Sequence, residues 1–263
     1  MISEKIELLG KNYYKDIPGV LTLKALPTAS ELDMVGADDF NDVMLDKILP
    51  QAVEEKVNFR NLLEIDFDWV CRCLRMLNYG PYYTVNVIFC GNCNTTSRGE
   101  YVVDLRTIEC KTLPEDFNGL VTIPKSSFID YGDDVVVGLP TIQEAINANE
   151  DKMFGAATNK HNNELARICY TVRSMGTRKN LTPIEVRNEI ETKFSPADYV
   201  ILKNEVVRLT DYGMRVGGTC QCPNCKKEAH FAAFTDDRFF RPTMGDLRRW
   251  RDDRSERKDK DVS

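Results

Sequence analysis

Histidine is almost missing from this 263-residue chain, with two copies in all. Histidine is the usual side chain that titrates near neutral pH, so histidine-centred acid/base catalysis is a poor expectation. Basic excess is missing too: 35 Lys and Arg face 41 Asp and Glu, a net charge of -6. A polyanion held by bulk electrostatics is therefore disfavoured. No run approaches the ~18 consecutive apolar residues of a membrane span. The opening Met1-Ile2-Ser3-Glu4-Lys5-Ile6-Glu7 also lacks the apolar stretch of a signal peptide. The expectation is a soluble protein that stays where it is made. Neither a Gly-rich phosphate loop nor a G-x-S-x-G or H-E-x-x-H motif occurs. With 15 Gly, 11 Pro and 42% hydrophobic residues, collagen-like and disordered classes are excluded, and a globular protein of one large or two smaller domains remains.

What is present is organised twice. Val20-Leu21-Thr22-Leu23 leads into Leu26-Pro27-Thr28, and Val135-Val136-Val137 leads into Leu139-Pro140-Thr141. In each, a Glu three residues after the Thr completes a capping box (Thr28/Glu31 and Thr141/Glu144), so both read as strand, turn and helix start. Val70, Cys73, Leu74 and Leu77 form a helical stripe, with Asp66 or Asp68 available as cap and Gly80 as stop. Tyr199, Leu202, Val206 and Leu209 repeat that stripe after Ser195-Pro196, with Gly213 as stop. Both stops follow tyrosine, at Tyr79-Gly80 and Tyr212-Gly213.

Alternation at Tyr83, Val85, Val87 and Phe89, broken by Ile88, predicts a strand running into Cys90-Gly91-Asn92-Cys93, with a return strand over 101–105. The second copy offers Met214 to Thr219, then Cys220-Gln221-Cys222-Pro223-Asn224-Cys225, then a return over His230 to Phe234. Leu120 to Pro124 predicts an extra strand. Helices are expected around Leu165, Ile168, Cys169 and Val172, and from the Thr182/Glu185 box through Val186 to Phe194. The predicted class is α+β, in two topologically similar halves joined at a shared zinc-knuckle site. The first half spans 1–112 with hairpin 83–105. The second spans 113–241 with a helical insertion at 145–195 and hairpin 214–234. The charged segment 242–263 is expected to be a mobile tail, because 246–263 holds seven basic and six acidic residues.

Nine cysteines without an export signal favour reduced thiols or metal ligands over disulfides. A Cys-x-x-Cys turn at a hairpin tip points two sulfurs to one side, and two such turns supply the four thiolates of a tetrahedral Zn²⁺. Cys90, Cys93, Cys222 and Cys225 fit that demand as a structural zinc site. A pseudo-twofold axis near the metal would follow from two equivalent hairpins. Register leaves alternatives: Cys220 could replace Cys222, and His230 could replace one sulfur, although Pro223 favours the 222/225 pair. A redox dithiol is the rival reading, but the helix expected after such a motif is missing in both copies. Cys73 and Cys169 lie on apolar stripes as core residues, while Cys71 and Cys110 have no partner at ligand spacing. Arg238-Phe239-Phe240-Arg241 and Arg248-Arg249-Trp250-Arg251 suggest base stacking. The interleaved Asp236, Asp237, Asp252 and Asp253 oppose it and favour a protein-facing surface or a solvated tail.

The set Leu26-Pro27-Thr28, Asp66 to Leu77 with Asn78-Tyr79-Gly80, Phe89-Cys90-Gly91-Asn92-Cys93 and Val102-Val103-Asp104-Leu105 resembles the baseplate hub proteins of T-even-type contractile-tailed phages. The likeness covers about residues 15–235. It implies a non-enzymatic virion protein, assembled in the host cytoplasm and located in the tail baseplate, that contacts hub and spike proteins. It brings no nucleic-acid, membrane or small-molecule partner. A hub assembly factor not retained in the virion is the family alternative, and a zinc-ribbon nucleic-acid-binding regulator is the alternative outside it. The paired cysteines match the family position by position, whereas Cys220 and the tail after Arg241 depart from it.

Overall fold

The computed structural model describes residues 2–27, 29–30, 34, 39–155, 160–214, 217–232 and 237–260. It mixes helices and strands around two hydrophobic cores. Strands β1 (Ser3–Glu7) and β2 (Val20–Lys24) pair antiparallel. They pack with an irregular helical stretch over 40–52 and with α1 (Glu64–Tyr79), which buries Phe67, Val70, Cys71 and Leu74. The predicted stripe therefore faces a core. Its cap differs from expectation: Leu63 holds the N-cap position without a side-chain bond, and Asp66 is buried within the first turn. Gly80 stops the helix as expected, at φ 79. A Cβ there would lie 2.3 Å from the Trp250 ring, so glycine serves both the backbone and that contact.

The second core lies between the sheet β6 (Leu120–Ile123), β7 (Val135–Gly138), β8 (Val172–Met175) and β9 (Arg178–Lys179), in that order, and four helices. These are α2 (Ile142–Glu150), α3 (Lys160–Thr171), α4 (Pro183–Lys193) and α5 (Pro196–Leu209). The boxes Thr141/Glu144 and Thr182/Glu185 form as expected, and Ser195/Asp198 adds a third at α5. The Thr28/Glu31 box lies outside the described residues. Val172 was expected in a helix but opens β8, because pairing with Val137 wins over the helical pattern. α5 stops at Leu209, before the predicted Gly213. That glycine opens β10 (Gly213–Met214), which pairs with β5 (Cys110–Lys111) hard against Ile65 of α1.

After β10 the chain re-enters the first core. β11 (Gly217–Gln221) and β12 (Glu228–Ala232) complete a four-stranded antiparallel sheet in the order β11-β12-β3-β4, with β3 (Tyr82–Cys90) and β4 (Thr95–Asp104). Cys222, Ala229, Phe239 and Phe240 are buried in that first core. The cores do not follow the division at residue 112: the second draws mostly on 123–209 together with Leu63, while Ile142, Ile146 and both hairpins contribute to the first. The order also sets the return strand β12 beside the outgoing strand β3, joined at His230 and Phe89. A two-fold axis would set like strand beside like, so the hairpins are related by a lateral shift instead.

The segment expected as a charged tail, 242–263, is helical over most of its length. Met244–Lys260 is a helix, α6, and its first turn is anchored. Asp246 is buried, accepts from the Thr84 hydroxyl (2.6 Å) and forms a capping box with Thr243. Arg75, with no exposed surface, lies 3.9 Å from Asp246 and donates to the carbonyls of Phe239, Gly80 and Tyr82. Burial pulls its pKa down to about 10. The charged composition concealed two turns of core-facing helix, because one Asp, one Leu and one Trp are enough to dock it.

Candidate metal centre

The β3–β4 ladder is irregular between two pairs: Val85 faces Tyr101 and Val87 faces Arg98, so the extra residue lies on β4. On β3, Thr84, Val85, Ile88 and Cys90 are buried, and Phe89 is 47% exposed. The alternation predicted Phe89 on the face of Val85, but next to the knuckle Ile88 and Cys90 are the buried residues. The "break" at Ile88 is thus the residue in register with Cys90.

At the hairpin tips the Sγ atoms of Cys90, Cys93, Cys222 and Cys225 all lie within 4.8 Å of one another. Cys90 Sγ is 3.5 Å from Cys225 Sγ, and Cys93 Sγ is 3.8 Å from Cys222 Sγ. A tetrahedron with metal–sulfur bonds of 2.3 Å has an edge of about 3.8 Å, so the spacing suits one tetrahedral ion. Cys90 and Cys222 are buried, and Cys93 and Cys225 are half-buried. The two turns share their backbone: the residue after each second cysteine is left-handed, Asn94 at φ 49 and Lys226 at φ 62. Asparagine tolerates that region; lysine does so only where surrounding bonds hold it. Here the Lys226 N–H donates to the Cys222 carbonyl (2.9 Å), and Cys222 N–H donates to the Lys227 carbonyl (2.8 Å).

Backbone N–H groups aim at the sulfurs. The Lys227 N–H and the neighbouring thiols pull Cys225 down to about 6, and the N–H groups of Cys225 and Asn224 lower Cys222. Cys90 is also drawn down by the Cys93 N–H, but burial and its hydrogen bonds to the Cys225 and Cys93 sulfurs raise it to about 11. Cys90, Cys222 and Cys225 thus hold their protons unequally, and a bound cation would supply the charge that favours thiolates here. This donor set could hold one metal ion, and an all-sulfur tetrahedron selects zinc or iron.

Four polar side chains whose contacts the sequence reading missed surround the knuckles, and two hydrogen bonds among them join the hairpins. Thr95 Oγ1 lies 2.9 Å from Cys93 Sγ and 3.4 Å from Asn224 Nδ2, and Lys227 Nζ donates to Asn92 Oδ1 at 3.0 Å. Only the knuckle-adjacent position of Thr95 could have flagged it. Cys220 and His230 are not among the four clustered ligands: Cys220 sits mid-ladder opposite Ala229, and His230 is exposed opposite Phe89. Cys71, Cys73 and Cys169 are buried core thiols whose pKa values burial raises. Phe239 and Phe240 are core rings, 5.4 Å apart, and not exposed stacking platforms.

The chain matches no protein-family model, no curated protein and no solved structure.

Proposed function

We propose that this protein is a non-enzymatic interaction platform of a contractile phage tail baseplate, with its two Cys-x-x-Cys hairpins clamped by one structural Zn²⁺. The observation that carries the zinc clamp is the convergence of four sulfurs from hairpins 129 positions apart. Zinc is preferred over iron because a closed set of four thiolates from two Cys-x-x-Cys turns is the donor set of structural zinc, which adds folding energy outright. The hub location is supported by the set of motifs that resembles hub proteins, and by nothing else. On this reading the partners are hub and spike proteins.

We also read the chain as an internal duplication. A parallel in the two cores supports it. Asp66, third residue of α1, accepts the N–H groups of Leu9 (2.6 Å) and Gly10 in the loop between β1 and β2. Asp198, third residue of α5, accepts those of Ile129 (2.6 Å), Asp130 and Tyr131 in the loop between β6 and β7. Each copy then runs from hairpin to clasping helix to Tyr-Gly to knuckle.

Metal analysis of the purified chain tests the clamp: near one zinc per chain is expected, and a metal-free protein whose stability is unchanged by Cys90→Ser overturns it. Iron in place of zinc, visible as thiolate-to-iron absorbance, overturns the metal assignment alone. Affinity capture from infected cells tests the location: baseplate hub and spike proteins are expected, and their absence from both assembled tails and free complexes overturns the hub reading.

A further inference from the structure

A cavity of about 420 Å³ opens between the loop at 8–13 and the segment 110–117, and none of the four clustered cysteines lines it. Its size lies within the range of ligand pockets. Three aromatic residues, Tyr13, Trp69 and Phe117, contribute to its wall. Trp69 already carries a cation, since the Arg72 guanidinium carbon lies 5.0 Å from the ring centre. The indole N–H is spent on the Glu7 carbonyl (2.9 Å), so what the side chain offers a ligand is ring surface.

The charges of the lining are unbalanced. Lys11 Nζ is bound to Glu7 Oε1 at 2.5 Å, and burial is slight at both. Glu115 acts on the same Lys11 ammonium through space, with no hydrogen bond to its carboxylate among the described residues, so two carboxylates face one ammonium; Thr112 lines the cavity as well. Aromatic residues with one carboxylate in excess select a cation, because a ring face is electron-rich and the excess carboxylate supplies the counter-charge.

The walls are also pre-set. The Asp66 carboxylate fixes the N–H groups of Leu9 and Gly10, and the Tyr14 hydroxyl donates to it at 2.5 Å. Leu113 N–H donates to the Leu9 carbonyl (3.3 Å), tying one wall to the other. A pre-formed cavity spends less of its binding energy on ordering.

We propose that this cavity binds an arginine side chain presented by a partner protein. A planar guanidinium can stack on aromatic rings while its fork of donors reaches a carboxylate and a hydroxyl, which a point-charge ammonium does less well. The inference rests on the interaction-platform reading only in assigning the cation to a protein; cavity and clamp share no residue, so zinc content and arginine binding fail separately.

The test is a titration of the full chain with acetyl-Gly-Arg-Gly-amide, and with its lysine and citrulline counterparts. It is followed through the Trp69 indole ¹⁵N–¹H resonance, assigned with Trp69→Phe. A saturable shift is expected, with about tenfold weaker binding for citrulline and for the exposed Glu115→Gln variant, equivalent to about 1.4 kcal/mol. Equal binding of the citrulline peptide, or an unmoved Trp69 resonance up to about 10 mM peptide, overturns the cation site. Equal binding of the lysine peptide overturns the choice of arginine.

Discussion

The second core is assembled from neighbours in sequence, while the first is tied across the length of the chain. Around the second, consecutive strands β6 to β9 pair in order and three capping boxes start the helices. The first joins Cys93 to Cys222, Thr84 to Asp246 and Arg75 to Phe239, the last pair 164 positions apart. Loop closure makes such ties entropically expensive, so the interactions that complete them must be strong individually. A four-cysteine cluster that could hold a metal, and a buried arginine, are of that kind. The comparison teaches that stability here is divided by mechanism: local signals suffice for one core, and the other depends on a few long-range clasps.

The sharpest way to break this contrast is chelation. On the proposed zinc clamp, a chelator or Cys222→Ser is expected to unfold the paired hairpins and weaken the first core by several kcal/mol, on the order of the ~10 kcal/mol that structural zinc can contribute. Cys220→Ser should change stability by less than about 0.5 kcal/mol. Hydrogen exchange resolved by core would show the loss confined to the first, and equal loss in both would contradict the division.

Next in size is Asp246→Ala, expected to cost about 3–5 kcal/mol because it leaves the Arg75 guanidinium buried beside no carboxylate. Urea midpoints measure it. A cost below about 1 kcal/mol would mean that the three carbonyl acceptors alone satisfy Arg75.

The two aspartate clasps should separate by pH. Burial raises Asp66 above the ordinary 3.8 despite its hydrogen bonds. Burial also acts on Asp198, but the N–H groups of Ile129 and Asp130 and the Ser195 side chain and N–H hold it lower. A lowered acid stabilises above its unfolded value and loses that contribution as pH falls through its folded value; a raised acid does the reverse. Asp198→Asn should therefore remove stability at neutral pH and flatten the fall below about pH 4, the ordinary aspartate value. Asp66→Asn should be better tolerated at neutral pH. Melting scans between pH 3 and 7 decide it, and parallel curves would erase the distinction.

The smallest effect concerns Arg72, whose Nε and Nη1 are buried without a hydrogen-bond partner among the described residues. Burial lowers its pKa. Arg72→Met is expected to be neutral or stabilising by up to about 1 kcal/mol in urea, since it removes unsatisfied donors and keeps the packing. A loss beyond about 1 kcal/mol would show that the contact with Trp69 contributes more than burial costs.

Residue type and spacing alone determined the features that operate within a few positions. The Thr141 and Thr182 boxes, the α1 stripe, the Gly80 stop and both Cys-x-x-Cys turns were legible because hydrogen-bond reach and helical period act locally. Tertiary structure decided which core each hairpin joined, the lateral order β11-β12-β3-β4, and the docking of α6. Those outcomes depend on partners more than 100 residues away, and a charged segment carries no sign of them until the partner is in place. Asp246 beside Arg75 looks like surface charge in the chain, and only burial makes it an anchor.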